Sequence, residues 1–104
     1  MKNTAGKVAV ITGAGSGIGQ ALARALAKRG ANLALVDVND SSLAAIAAEL
    51  SSASITVSSH VVDVSDRATM EQLPEQIIAA HGAIHILINN AGVSTFENFE
   101  KRSE

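Results

Sequence analysis

Residues 8–19 read Val8-Ala9-Val10-Ile11-Thr12-Gly13-Ala14-Gly15-Ser16-Gly17-Ile18-Gly19. A continuous aliphatic run, Val8 to Ile11, gives way to a glycine-rich turn. Apolar residues then recur at helical spacing between Ile18 and Arg29, at Ile18, Ala21, Leu22, Ala25 and Leu26. An unalternating run of that kind predicts a strand covered on both faces. The first turn of a helix leaves backbone N–H groups unpaired and carries the positive end of the helix dipole, so strand, turn and helix together make a phosphate site. Gly13 is expected to make the turn, Gly17 to admit the phosphates and Gly19 to let the helix close on the strand. Ser16 can add a hydroxyl donor, and Ile18 belongs to the same phosphate-facing turn. The spacing is Gly13-x-x-x-Gly17-x-Gly19 rather than G-x-G-x-x-G, since no register from Gly13 or Gly15 ends on glycine. Its place between a predicted strand and a predicted helix gives it meaning.

Outward from this unit, Gly30 is placed to end the first helix in a left-handed conformation. Arg24, Lys28 and Arg29 lie off the apolar stripe, on a solvated face. Leu33 to Val36 predicts a second strand, ending in Asp37. Asp40 or Ser41 can cap a second helix with the face Leu43, Ile46, Ala47 and Leu50. Ile55 to Val62 predicts a third strand. Ser65 or Asp66 can cap a third helix with the face Met70, Leu73, Ile77 and Ile78, in which Pro74 marks a kink or the true start, and which Gly82 ends. Ile84 to Ile88 predicts a fourth strand, running into Asn89-Asn90-Ala91-Gly92. This alternation implies right-handed crossovers and a parallel sheet. The fold class is α/β: a Rossmann-type sheet of four strands in the order 3-2-1-4 with three crossover helices, a doubly wound fold cut short. Residues 1–104 are expected to form one partial Rossmann domain, with a polar tail at 95–104 that shows no periodicity.

Asp37 lies eighteen residues beyond Gly19. At the end of the second strand of a doubly wound sheet it faces an adenosine ribose and can accept from both hydroxyls. The same carboxylate repels a 2′-phosphate, by roughly 1–4 kcal/mol per unit charge at about 4 Å, which is about tenfold or more in affinity. Val38 and Asn39 follow it, so no adjacent cation offsets the repulsion. The expected cofactor is NAD in preference to NADP.

Composition narrows the remaining classes. The chain has 104 residues and a formal net charge of −2, which gives no electrostatic case for nucleic acid. It contains no Cys, so disulfides, thiolate metal sites and a Cys nucleophile are excluded. No His/Asp/Glu cluster has metal-ligand spacing. Met1 to Gly6 lacks the apolar core of a signal peptide, and no apolar run is long enough to span a bilayer, so a cytoplasmic protein without membrane contact is expected.

Thr12-Gly13-x-x-x-Gly17-x-Gly19, Asp37, Asp63-Val64 and Asn89-Asn90-Ala91-Gly92, in that order, resemble the short-chain dehydrogenase/reductase family from about Lys7 to Ser94. The resemblance implies that Asp63 bonds the adenine amino group and that Val64 lines the adenine pocket. It implies that Asn90, Ala91 and Gly92 run beside the ribose next to nicotinamide, and that Asn89 and Asn90 tie the fourth strand to its neighbours. Read without the family, Asp63 is equally a helix-approach residue and the Asn pair a turn. The family reduces carbonyls or oxidises alcohols by hydride transfer with NAD(P), using a Tyr four residues before a Lys as its acid/base group. This chain contains no Tyr, so no catalytic residue is assigned. Hydride transfer to a carbonyl needs a proton donor at the developing alkoxide. His60, His81 and His85 are expected in structural positions away from the nicotinamide end.

The sequence therefore reads as the cofactor-binding part of an NAD-dependent oxidoreductase acting on an alcohol or carbonyl, a fragment inactive alone. The alternative is a non-catalytic dinucleotide-binding or sheet-completing module. With strand order 3-2-1-4, Ile86, Leu87 and Ile88 would border an open edge and a thinly covered face, so self-association through that edge is expected.

Overall fold

The computed structural model describes residues 4–90. Seven elements alternate along the chain: β1 (Val8–Thr12), α1 (Gly17–Lys28), β2 (Asn32–Asp37), α2 (Asp40–Leu50), β3 (Val57–Val61), α3 (Arg67–His81) and β4 (Ile86–Asn89). The strands form one sheet in the order β3-β2-β1-β4, and every pair is parallel. In β1, Val10 faces Ala34 of β2 on one side and Leu87 of β4 on the other. All five residues of β1 are buried, which is why the run Val8 to Ile11 does not alternate.

The two sheet faces carry separate cores. Ala9, Ile11, Leu33 and Leu35 pack with Ala23 and Leu26 of α1 and with Leu43 and Ile46 of α2. Among the described residues, Val8, Val10, Ala34 and Val36 cluster with Leu73 and Ile77 of α3, together with Val62 and the half-buried Met70. Two helices thus cover one face and a single helix covers part of the other. Next to β4, the thinner face keeps an apolar hollow of about 140 Å³ lined by Met70, Leu73, Ile77, Ile84 and Leu87 among others. Leu87 is 67% exposed.

Three local readings are corrected. The buried face of α1 is Gly19, Ala23 and Leu26, whereas Ile18 is 57% exposed and Ala21 and Ala25 face solvent. At Gly19 the helix meets the turn closely, and Leu22 and Leu26 of the expected stripe do pack on the core, while Ile18, Ala21 and Ala25 turn outwards. Second, α2 is capped by Asn39, whose side chain accepts from Ser42 N–H at 3.0 Å; Asp40 and Ser41 lie inside the helix. Third, Pro74 does not mark the true start of α3: Asp66, one of the two expected caps, caps the helix, which starts at Arg67 and continues through Pro74. Pro74 is therefore internal, and it costs the bond that its missing N–H would give to the Met70 carbonyl. Within α3, Ile78 is exposed. Gly30 and Gly82 follow their helices with φ of +83° and +86°, as expected for left-handed caps.

Candidate functional site

The glycine turn sits at the C-terminal end of β1, where the sheet order reverses between β2 and β4. That is the crevice in which open α/β sheets take their ligands. Gly13 has φ +66° and redirects the chain. An added Cβ at Gly19 would lie 2.0 Å from the Gly13 carbonyl oxygen and 2.8 Å from Ala14 Cα, so this glycine sets the distance between turn and helix. At Gly17 a Cβ would meet nothing within 4 Å. The space beside Gly17 is open, and it lies at the first residue of α1.

The donors of the α1 N-terminus can be accounted for one by one. Ser16 is the cap, and its hydroxyl oxygen accepts from Gly19 N–H at 3.2 Å. Gln20 N–H donates to the Ser16 carbonyl, the first bond of the helix. Among the described residues the N–H groups of Gly17 and Ile18 meet no acceptor, and both residues are exposed. The Ser16 hydroxyl itself donates to the Gly13 carbonyl at 2.8 Å, so it holds the turn instead of pointing a free donor outwards, as the sequence suggested.

Asn90 locks this turn from the other side. Its Nδ2 donates to the Gly13 carbonyl at 3.0 Å and to Ser16 Oγ at 3.1 Å, and the residue is 6% exposed. Among the described residues, Asn90 Oδ1 is buried and meets no partner. Asn89 accepts from the Thr12 hydroxyl at 3.0 Å. The Asn pair does tie β4 to its neighbour. Ala91 and Gly92 lie outside the described residues.

Asp37 ends β2 and does not cap α2. Its Oδ2 accepts from Gly15 N–H at 2.7 Å and its Oδ1 from Asn39 N–H at 3.0 Å. A Cβ at Gly15 would lie 2.8 Å from Ser42 Cβ and 2.9 Å from Asp37 Oδ2. Gly15 and Ser42 belong to the site, and the sequence reading missed both. The signal present was the extra glycine of the turn, but its reason is a contact with α2 that no local pattern displays. Asp63 follows β3, and its Oδ1 accepts from the hydroxyl and the N–H of Ser65 at 2.7 and 2.9 Å, which holds its carboxyl below the usual range. Gly13, Asp37, Val38, Val62, Asp63 and Val64 line one cleft of about 90 Å³, so residues from three separate strand ends meet there.

Residues 7–104 match the family pattern described as short chain dehydrogenase. The chain belongs to the short-chain dehydrogenase family. D-threitol dehydrogenase of Mycolicibacterium smegmatis is 41% identical over 98 residues, covering 94% of this chain and 38% of that protein. Oxidoreductase UcpA of Salmonella typhimurium is 39% identical over all 104 residues, which are 39% of its length. This chain therefore spans well under half of the curated relatives it matches. A Burkholderia phymatum family member crystallised with NAD aligns with a TM-score of 0.78 at 41% identity, over 84% of this chain and 31% of that one. L-sorbose reductase of Gluconobacter frateurii, solved with NADPH and L-sorbose, aligns with a TM-score of 0.80 at 38% identity, over 88% and 36%. Family members of this fold thus carry either nicotinamide dinucleotide.

The three histidines stand apart from the cleft. His85 Nδ1 accepts from Val8 N–H at 2.9 Å, at the opposite end of the strands. Ser58 Oγ lies 2.8 Å from His60 Nε2 and 2.7 Å from His81 Nε2, joining β3 to the last turn of α3. Burial depresses both pKa values; a Gln76 hydrogen bond works against it at His60, and the His60 charge adds to it at His81. Depressed histidines take up protons later in the folded chain than in the unfolded one. Stability is then full above the unfolded pKa of about 6.5 and falls as pH drops from there through the lowered folded values. The thermal midpoint is expected to drop on acidification from about pH 7 to about pH 5, and His81→Phe to flatten that slope. A wild-type midpoint level across the range would contradict the assignment.

Proposed function

We propose that this chain is the dinucleotide-binding part of an oxidoreductase that uses NAD in preference to NADP, acts on an alcohol or carbonyl when complete, and has no activity by itself. The observation that carries it is the open space at Gly17 beside two unpaired N–H groups, with a carboxylate at the end of the neighbouring strand. The residues present fit a dinucleotide. The pyrophosphate would take the N–H groups of Gly17 and Ile18, and the adenosine ribose the carboxylate of Asp37. The adenine would lie between Asp63 and Val64. Ala91 and Gly92 would continue beside the second ribose, after Asn90 has fixed the turn. When bound, the nicotinamide supplies a hydride donor or acceptor. What the chain lacks is the group that moves the proton, since it contains no Tyr. A soluble, cytoplasmic setting accords with the absence, among the described residues, of a helix long and apolar enough to cross a membrane.

The selectivity is tested by titrating the chain with NADH and NADPH and following nicotinamide fluorescence. NADH is expected to bind about tenfold or more tightly, from the Coulomb repulsion at Asp37. Equal affinities would remove the argument from Asp37. Alcohol oxidation by the purified chain is expected at background level.

The open β4 edge favours self-association as a further property of the isolated chain. Leu87 and Ile84 expose apolar surface at the hollow beside α3. Sedimentation is expected to show species above monomer mass, and Leu87→Lys to shift the distribution towards monomer. A single monomer boundary for the wild type at high concentration would sink this reading.

A further inference from the structure

We infer that Asp37 positions the phosphate turn as well as facing the ribose; the inference rests on the dinucleotide reading above. Its carboxylate is anchored twice, by Asn39 N–H and by Gly15 N–H. The Gly15 bond reaches from the end of β2 into the middle of the glycine turn, two residues before Gly17. The Gly15 carbonyl, on the other side of the same residue, accepts from Gln20 Nε2 at 3.0 Å. Gly15 is thus pinned between a strand end and the first turn of α1. Ala14 N–H is pinned as well, to the Val36 carbonyl at 3.0 Å. Ser42 and Asp37 leave no space for a side chain at position 15, so the strut works only with glycine there. Each carboxylate oxygen has lone pairs to spare after one backbone bond. Asp37 can therefore keep the turn and meet ribose hydroxyls at once.

Two roles for one carboxylate predict opposite signs for a ligand that has phosphates and no ribose. If Asp37 only faces ribose, removing its charge relieves repulsion, and inorganic pyrophosphate binds as well or better. If Asp37 is a strut, removing it frees Gly15, disorders the approach to Gly17 and weakens pyrophosphate. Loss of a charge-assisted hydrogen bond that orders the turn sets the scale at about tenfold.

The test uses the ¹⁵N-labelled chain, with Asp37→Ala and Asp37→Asn. The Gly15 amide proton of the wild type is expected far downfield and slow to exchange. In Asp37→Ala it moves upfield and exchanges faster, and pyrophosphate binds about tenfold more weakly by resonance shift of the Gly17 amide. Asp37→Asn keeps an acceptor, so it retains the Gly15 shift and the pyrophosphate affinity while losing NADH selectivity over NADPH. Unchanged amide dispersion in α1 and α2 shows that the variants are folded; if the alanine variant is not, the wild-type Gly15 amide decides the matter, since an ordinary shift and fast exchange there overturn the strut. In Asp37→Ala, an unaltered Gly15 resonance or a pyrophosphate affinity at or above wild type overturns the strut. A wild type that binds neither NADH nor pyrophosphate removes the dinucleotide reading instead, and leaves the Gly15 resonance to decide whether Asp37 holds the turn.

Discussion

Gly19→Ala is expected to unfold the chain. The added methyl would sit 2.0 Å from the Gly13 carbonyl oxygen and 2.8 Å from the Gly13 carbonyl carbon and Ala14 Cα. All three are backbone atoms of a turn held by Asn90, Ser16 and the Val36 carbonyl, so none can swing aside as a side-chain tip would. Overpacking costs about 1–3 kcal/mol where neighbours yield, and more where they do not. A small domain has only about 5–15 kcal/mol in total, and one with a half-covered sheet has the lower end of that. The expected far-ultraviolet dichroism of the variant at room temperature is that of a largely unfolded chain. Gly17→Ala is its counterpart. The new Cβ meets nothing, and alanine favours the helix over glycine by up to about 1 kcal/mol, so the melting midpoint holds or rises. The same methyl fills the space proposed for the phosphates, so NADH affinity falls. Two glycines two residues apart then separate a structural demand from a ligand demand. A folded Gly19→Ala chain that melts like the wild type would refute the close-approach argument.

Ile11→Ala is expected to be the second large effect, at about 2–5 kcal/mol. Ile11 is fully buried in the central strand, opposite Leu35 on one side and Ile88 on the other. Its side chain belongs to the core that α1 and α2 cover, where truncation leaves a cavity with no loose element to fill it. Leu87→Ala, one strand away, is expected to change stability by no more than about 0.5 kcal/mol, because that side chain is already in solvent. Urea midpoints compare the two. Equal losses would mean that the exposed face of β4 is covered in solution.

The strand order and the layer arrangement were legible because they follow from long-range simplicity. Runs such as Val8 to Ile11 and Leu33 to Val36 are apolar at every position, and only a parallel sheet covered on both faces asks for that. The caps after α1 and α3 were legible because a glycine at a helix end has one main use. The face of α1 was legible only in part, at Leu22 and Leu26. Ile18, Ala21 and Ala25 satisfy the helical period as well as Gly19, Ala23 and Leu26 do, and the choice is made by how closely Gly19 meets the turn. Periodicity reports that a stripe exists, and contact with the sheet decides which stripe. The cap of α2 was missed by one residue because Asn39, Asp40 and Ser41 are all competent caps, and the sequence does not say which of them keeps an extended backbone, as Asn39 does. At the site, Gly13, Gly17 and Gly19 could be assigned separate tasks from spacing alone. Gly15 could not, since its constraint comes from Ser42 and Asp37 across the turn. The hydroxyl of Ser16 was read as free because a sequence lists donors without saying which are already spent.

The lock that Asn90 places on the turn also fixes the order in which the molecule can be completed. Its bonds to Gly13 and Ser16 bridge 77 and 74 positions of chain, and the links of β4 to β1 at Val8 and Thr12 are equally distant. The pairing of β1 with β2, by contrast, closes over a single helix, with Val8 opposite Asn32. Closing a longer loop costs more, by about 0.6 kcal/mol for each doubling. Strands β1 to β3 with α1 and α2 can therefore assemble while the chain is still being synthesised, with the turn already held by Asp37 and Val36, but the two Asn90 bonds wait for β4. One side of the turn is thus fastened by residues that follow it closely and the other by a strand more than seventy residues away, so peeling β4 off would release Gly13 and Ser16 while Gly15 stayed held.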